Sequence, residues 1–194
     1  KINKLKKKKI EKKLSNKKFY VAIGRLTKQK NFQFLIDSIK EILIKKKIFL
    51  IILGDGEQKD ILLKMIKINQ LENRIFLLGY KKNIYQYLSR SNGLICTSLW
   101  EEPGFVIQEA AACKKIILTS NCESGPAEFL NGGENGYIFK SNDKESFVKK
   151  FNLMIKEKDK HFKKIQNNYT KSKRYTKKYF AQKIFDEIQL SDNM

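Results

Sequence analysis

From residue 18 onward the apolar positions of this chain alternate between two periods. "KFYVAIG" (18–24) is a run of aromatic, β-branched and small apolar residues closed by glycine, the pattern of a strand buried on both faces. "NFQFLIDSIKEILIKKK" (31–47) follows, with Phe34, Leu35, Ile39, Ile42 and Leu43 recurring at helical spacing. The exchange repeats down the chain. Strands are predicted at "IFLIILG" (48–54), "RIFLLGY" (74–80), "GLICTS" (93–98), "KIILTS" (115–120) and "GYIF" (136–139). Helices are predicted at "EQKDILLKMIKINQ" (57–70), "NIYQYLSRS" (83–91), "GFVIQEAAACK" (104–114) and "DKESFVKKFNLMIKEK" (143–158), the last capped by Asp143.

Apolar strands alternating with helices imply a parallel sheet covered on both faces, with right-handed crossovers. The fold class is α/β, a doubly wound, parallel, Rossmann-like sheet. In such a sheet the ligand sits beyond the carboxyl ends of the strands. The segments to search are therefore "GRLTKQKN", "GDGEQK", "GYKKN", "SLWEEPG" and "SNCESGPAE", each of which follows a predicted strand. Residues 1–17 carry only Ile2, Leu5, Ile10 and Leu14 as apolar positions and read as a basic linker or the end of a helix. Residues 18–157 form the ligand-binding domain, and 158–194 read as C-terminal helices. The second of these is expected to be capped by Thr176 and to carry an apolar stripe of Phe180, Ile184, Phe185 and Ile188. The chain opens at Lys1, so it is expected to be an internal piece of something longer.

Charge modifies this picture. The 194 residues include 41 Lys and Arg against 20 Asp and Glu, a net charge of +21. The lysines are spread along the whole chain, which points to a solvated cationic surface and secondarily to an anionic membrane surface. The alternative reading is a basic Rossmann-like module that binds nucleic acid or an anionic membrane without catalysis; its nucleic-acid arm is the weaker, because no aromatic-basic RNA motif is present. No apolar run approaches the ~20 residues of a spanning helix, and the basic start is not followed by an apolar stretch. Cys96, Cys113 and Cys122 form no CxxC and are expected as reduced thiols of a cytoplasmic protein. The single histidine, His161, lies in a lysine-rich stretch and is expected as inert surface.

Four loops carry candidate chemistry. Gly24 closes the first strand, and Arg25 and Lys30 follow it, a fork and a mobile point charge suited to phosphate oxygens. They would equally serve as two surface cations. "GDG" (54–56) permits a tight turn but lacks both a dinucleotide fingerprint and a Walker lysine. Tyr80 ends "LLGY", where backbone groups could read a flat base. In "SLWEEPGFVIQE", Glu101 and Glu102 precede a Pro-Gly turn, and a helix starting near Phe105 offers its N-terminus to an anion. Gly104 leaves room for close approach, and Glu109 lies one turn in, on the face of Phe105 and Val106. Glu101 and Glu109 could each grip sugar hydroxyls, or could only favour the helix N-terminus.

Taken in order and spacing, "GRLTKQKNF", "LIILGDGEQKDIL", "NRIFLLGY" and "GLICTSLWEEPGFVIQEAAACKKIILTSNCESGPAEFLNGGENGYIF" resemble the retaining GT-B glycosyltransferases of family 4, including the paired glutamates E-x(7)-E at Glu101 and Glu109. The resemblance covers residues 18–157 and extends toward 190. It implies the C-terminal, donor-binding half of such an enzyme, with an N-terminal acceptor domain missing from this chain. By that resemblance Arg25 and Lys30 clamp the diphosphate and Glu101 meets the donor sugar's hydroxyls. Gly104, Phe105 and Val106 supply backbone contacts to sugar or phosphate, Glu109 binds the ribose, and Tyr80 falls near the base. The donor would be a UDP- or GDP-sugar and the acceptor a saccharide or lipid-linked saccharide, with no metal or other cofactor, at the inner face of a membrane. The family turn E-G-F-G reads E-E-P-G-F here, so Glu102 and Pro103 stand where Gly and Phe are usual, which leaves the donor sugar open.

Overall fold

The computed structural model describes residues 2–101, 104–122, 125–175 and 179. Among the described residues the strands are β1 (Phe19–Ile23), β2 (Phe49–Leu53), β3 (Ile75–Leu77), β4 (Gly93–Cys96), β5 (Ile116–Ser120) and β6 (Tyr137–Phe139). They form one sheet in the order β3-β2-β1-β4-β5-β6, and every pairing is parallel. The helices are α1 (Ile2–Lys6), α2 (Phe32–Lys45), α3 (Lys59–Ile68), α4 (Tyr85–Leu88), α5 (Phe105–Ala112), α6 (Pro126–Phe129), α7 (Lys144–Lys156) and α8 (His161–Ser172). The predicted doubly wound sheet is what forms.

The apolar runs are explained by burial on two sides. Tyr20, Ala22, Leu50, Ile52, Ile95 and Leu118 point into a core closed by α2, α3 and α7, where Leu35, Ile39, Leu62 and Phe147 are fully buried. Their neighbours Phe19, Val21, Ile51, Leu53, Leu94 and Ile117 point the other way, onto Ile107, Ala110 and Ala111 of α5 and onto Tyr87 and Leu88 of α4. Strand residues alternate between faces, so a sheet covered twice needs no polar positions within its strands.

Element ends depart from the sequence pattern where loops interlock. The third helix starts at Lys59 rather than Glu57, because the Gln58 amide donates to the Leu26 carbonyl at 3.0 Å. The predicted helix at 83–91 is reduced to the single turn of α4. Strand β3 stops at Leu77, although the Gly54 amide still donates to the Gly79 carbonyl at 3.0 Å. Asp143 caps α7 as expected, accepting from the Ser146 amide at 2.9 Å. Residues 2–17 run against the domain: Leu14 is fully buried, and Glu11 accepts from Lys81 at 3.0 Å and from the Tyr87 hydroxyl at 2.9 Å. The helix expected after Thr176, with its Phe180, Ile184, Phe185 and Ile188 stripe, lies outside the described residues, as do Glu102 and Pro103.

The strand order reverses direction at β1. The chain builds outward through β2 and β3, then returns to add β4 on the other side. The crevice between the β1 and β4 loops is the topological switch point, where sheets of this kind take their ligands. The loop after β2 is locked onto this crevice from beside. The Leu26 amide donates to the Asp55 carbonyl at 2.9 Å, and a Cβ at Gly54 would fall 1.8 Å from the Gly24 carbonyl oxygen. "GDG" is thus a close-approach turn that holds the β1 loop in place. Gly54→Ala is expected to destabilise the chain by about 3 kcal/mol, through overpacking and a φ of +155°. A urea denaturation midpoint unchanged from the parent would contradict this.

Candidate functional site

The β1 and β4 loops are stitched together across the switch point. Thr97 donates its hydroxyl to the Lys30 carbonyl at 2.9 Å, the Leu99 amide donates to the Gln29 carbonyl at 2.8 Å, and Gln29 Nε2 donates to the Trp100 carbonyl at 2.9 Å. At the centre Lys30 Nζ donates to Glu101 Oε1 at 2.5 Å, and Ser98 donates its hydroxyl to the same oxygen at 2.6 Å. The ion pair is largely out of water, the side chains being 17% and 10% exposed. Ser98 is held in turn by Ser120, whose hydroxyl donates to the Ser98 carbonyl at 2.6 Å. Lys30, which the sequence suggests as a mobile charge, is therefore held in one place.

Gly104 enters α5 with φ +64°, a left-handed conformation that favours glycine, and α5 has no side-chain cap. A Cβ at Gly104 would lie 3.9 Å from that of Glu101, so the start of α5 adjoins the ion pair. Phe105 is 65% exposed. One turn on, Glu109 Oε1 accepts the Tyr85 hydroxyl at 2.9 Å. Burial pushes the Glu109 carboxyl above its ordinary value of 4.5, against the pull of the Tyr85 hydrogen bond. Tyr85 is the partner that sequence reasoning missed. Its only sequence signal was a tyrosine at the start of the short helix after "GYKKN".

Two clefts flank Arg25. One, of about 420 Å³, is lined by Ile23, Gly24, Arg25, Gly54, Asp55, Tyr80, Lys81 and Ile84. The other, of about 700 Å³, is lined by Arg25, Thr27, Gln29, Lys30, Glu57, Gln58, Trp100 and Glu101, among others. Gly24, Arg25 and Tyr80 thus meet in the first cleft, and Arg25, Lys30 and Glu101 in the second. Glu109 and residues 104–106 line neither and stand beside them on α5. Trp100 and Lys81 were not singled out from the sequence, although each adjoins a residue that was.

The remaining titratable groups fit a structural role. Cys96, Cys113 and Cys122 are free, and burial raises all three thiols, Cys113 to about 11. They are protonated near neutral pH and poor nucleophiles. His161, expected as inert surface, is instead half-buried, its ring 6.0 Å from that of Tyr137, and burial lowers its pKa. No cluster of three or more His, Cys, Asp or Glu positioned for a metal ion is present among the described residues.

Sheet order and interlocked loops define a doubly wound, Rossmann-like domain. The family model for glycosyl transferases group 1 matches residues 3–172, so the chain belongs to that family. An uncharacterized glycosyltransferase of Methanocaldococcus jannaschii is 40% identical over 112 residues, covering 57% of this chain and 28% of that protein. The N-acetylgalactosamine-N,N'-diacetylbacillosaminyl-diphospho-undecaprenol 4-alpha-N-acetylgalactosaminyltransferase of Campylobacter jejuni is 29% identical over 174 residues, covering 90% of this chain and 44% of that protein. The crystal structure of Anabaena HepE in complex with UDP-glucose matches with a TM-score of 0.79 and 25% identity, over 90% of this chain and 49% of that one. The crystal structure of the pneumococcal O-GlcNAc transferase GtfA in complex with UDP and GlcNAc shares the fold, with a TM-score of 0.79 and 20% identity over 90% of this chain and 36% of that one. The chain spans less than half the length of these relatives.

Two stability predictions follow from the buried charges. Lys30→Met leaves Glu101 charged and buried and is expected to lower unfolding free energy by about 3 kcal/mol, with much of the loss recovered in Lys30→Met/Glu101→Gln. Losses that simply add in denaturant titrations would contradict the pairing. For Glu109, the folded chain holds the proton more tightly than the unfolded chain. Its ionisation therefore costs stability as pH rises from 4.5 through the folded-state value. Glu109→Gln, which keeps an acceptor for Tyr85, should melt above the parent near neutral pH. The gap should close as pH falls below 4.5, and a gap independent of pH would refute the assignment.

Proposed function

We propose that this chain is the C-terminal, donor-binding half of a retaining GT-B glycosyltransferase of family 4, and that it binds a nucleotide-diphosphate sugar across the switch point. The observation that carries this reading is the pair of clefts that share Arg25. A nucleotide in the first cleft, against Tyr80 and Lys81, leaves its diphosphate at Arg25. Its sugar then enters the second cleft beside Lys30 and Glu101. Glu109, with Oε1 taken by Tyr85, offers Oε2 to a ribose hydroxyl. UDP is the nucleotide to try first, because HepE was solved with UDP-glucose.

In transfer, the bond from the sugar's anomeric carbon to the diphosphate oxygen breaks and the electron pair leaves with the diphosphate. Arg25, the Lys30 ammonium and the backbone N–H groups at the start of α5 meet that growing negative charge from fixed positions. A new bond forms from the anomeric carbon to an acceptor hydroxyl, whose proton passes to the departing diphosphate. Glu101, held by Lys30 and Ser98, orients the donor sugar through its hydroxyls. These protein groups meet the charge without recourse to a metal. The acceptor is a saccharide or lipid-linked saccharide, in keeping with the undecaprenol-linked substrate named for the C. jejuni relative, and the rest of the protein supplies most of its site. The charge of +21 suits work against an anionic membrane from the cytoplasmic side. Among the described residues no helix is long and apolar enough to cross a membrane.

Calorimetric titration with UDP and GDP tests the reading. Saturable binding of one nucleotide is expected. Glu109→Ala should weaken it by about 2 kcal/mol, roughly thirtyfold, the weight of hydrogen bonds to a charged group. Equal affinity in the variant, or no binding of either nucleotide, would refute the proposal.

A further inference from the structure

The second cleft extends beyond the groups that a donor sugar would touch. Besides Arg25, Lys28, Lys30 and Glu101 it is walled by Trp100, Gln29, Thr27, Gln58, Glu57 and Ile61. We propose that the part of the cleft walled by Trp100, Gln58 and Glu57 is a saccharide subsite on the donor-side domain itself, which receives the sugar ring of the acceptor. The inference rests on the reading that the donor sugar lies beside Lys30 and Glu101.

Three observations converge on a sugar. The first is Trp100, whose residue is 54% exposed at the cleft while its carbonyl accepts from Gln29 Nε2 and the preceding Leu99 amide donates to the Gln29 carbonyl. A large aromatic held in water on an immobile loop is a binding face. Its apolar indole suits the flat C–H side of a pyranose, and covering it removes apolar surface from water. The second is an unmet hydrogen-bonding demand. Gln58 is only 5% exposed, and its Oε1 has no partner among the described residues; Thr27 Oγ1 is buried and likewise without one. Buried polar atoms of this kind are destabilising until something pairs with them, and ring hydroxyls both donate and accept. The third is charge. Arg25, Lys28 and Lys30 share the walls with Glu57 and Glu101, so the cleft is mixed in sign and suits a neutral, hydroxylated ligand over a second phosphate.

Trp100 is the chain's single tryptophan, so its emission reports on this cleft alone. The chain is saturated with UDP, checked by calorimetry on the same sample, and titrated with methyl glycosides of glucose, galactose and N-acetylglucosamine. A saturable change in emission with at least one glycoside is expected. Glu57→Ala should weaken it by about tenfold, the scale of one hydrogen bond to a charged group. Trp100→Ala should abolish saturation transfer to the same glycoside by NMR, and Trp100→Phe should restore part of it. Normal UDP binding with no saturable response to any glycoside would overturn this inference and leave the donor reading intact. Failure to bind UDP and, used in its place, GDP would overturn both. A response of equal strength in Glu57→Ala, with saturation transfer persisting in Trp100→Ala, would place the sugar elsewhere and also overturn the subsite.

Discussion

The ion pair between Lys30 and Glu101 is the contact on which the site depends. It joins residues 71 positions apart from loops that leave the sheet on opposite sides of the switch point. Taking both charges out of water is costly. The cost is offset by a 2.5 Å contact and by the Ser98 hydroxyl on the same carboxylate oxygen. Beside the pair run the backbone bond from the Leu99 amide to the Gln29 carbonyl and the bond from the Thr97 hydroxyl to the Lys30 carbonyl. The wall of the second cleft and the start of α5 are then fixed relative to Arg25. The groups assigned to the donor sugar, its diphosphate and the acceptor ring all hang from this one closure.

A second tension runs through α5. Glu109 is kept in an environment that disfavours its charge and is supported by one tyrosine hydroxyl. A helix optimised for stability alone would place a neutral residue there. A buried carboxylate with a raised pKa is consistent with the ligand role proposed for Glu109. The three thiols tell the opposite story: burial raises each of them, and none is poised to react.

Much of this was legible in the chain because sheet burial writes directly into composition. A strand covered on both faces is largely apolar, so "FYVAI", "FLIIL" and the "IIL" of β5 stood out, and their alternation with helices dictated the parallel, doubly wound sheet. The loops that carry Arg25, Tyr80 and Glu101 were found because ligands gather where strands end. What stayed hidden depends on contacts between distant segments. Gly54 against the Gly24 carbonyl, Tyr85 on Glu109, and Glu11 on Lys81 and Tyr87 leave no local pattern, since each is set only once the sheet has brought the partners together. The helix after β2 began late for the same reason, its Gln58 amide being held by Leu26. His161 looked solvated because its neighbours in sequence are lysines, yet its neighbour in space is Tyr137.

The most direct test of the account is a crystal structure of this chain soaked with UDP-glucose. The account predicts the uracil and ribose in the cleft of Tyr80 and Lys81, with a ribose hydroxyl on Glu109. The diphosphate should lie between Arg25 and the start of α5, and the glucose beside a Lys30–Glu101 pair that remains closed. Nucleotide bound away from the switch point, or bound there only with Lys30 withdrawn from Glu101, would contradict it.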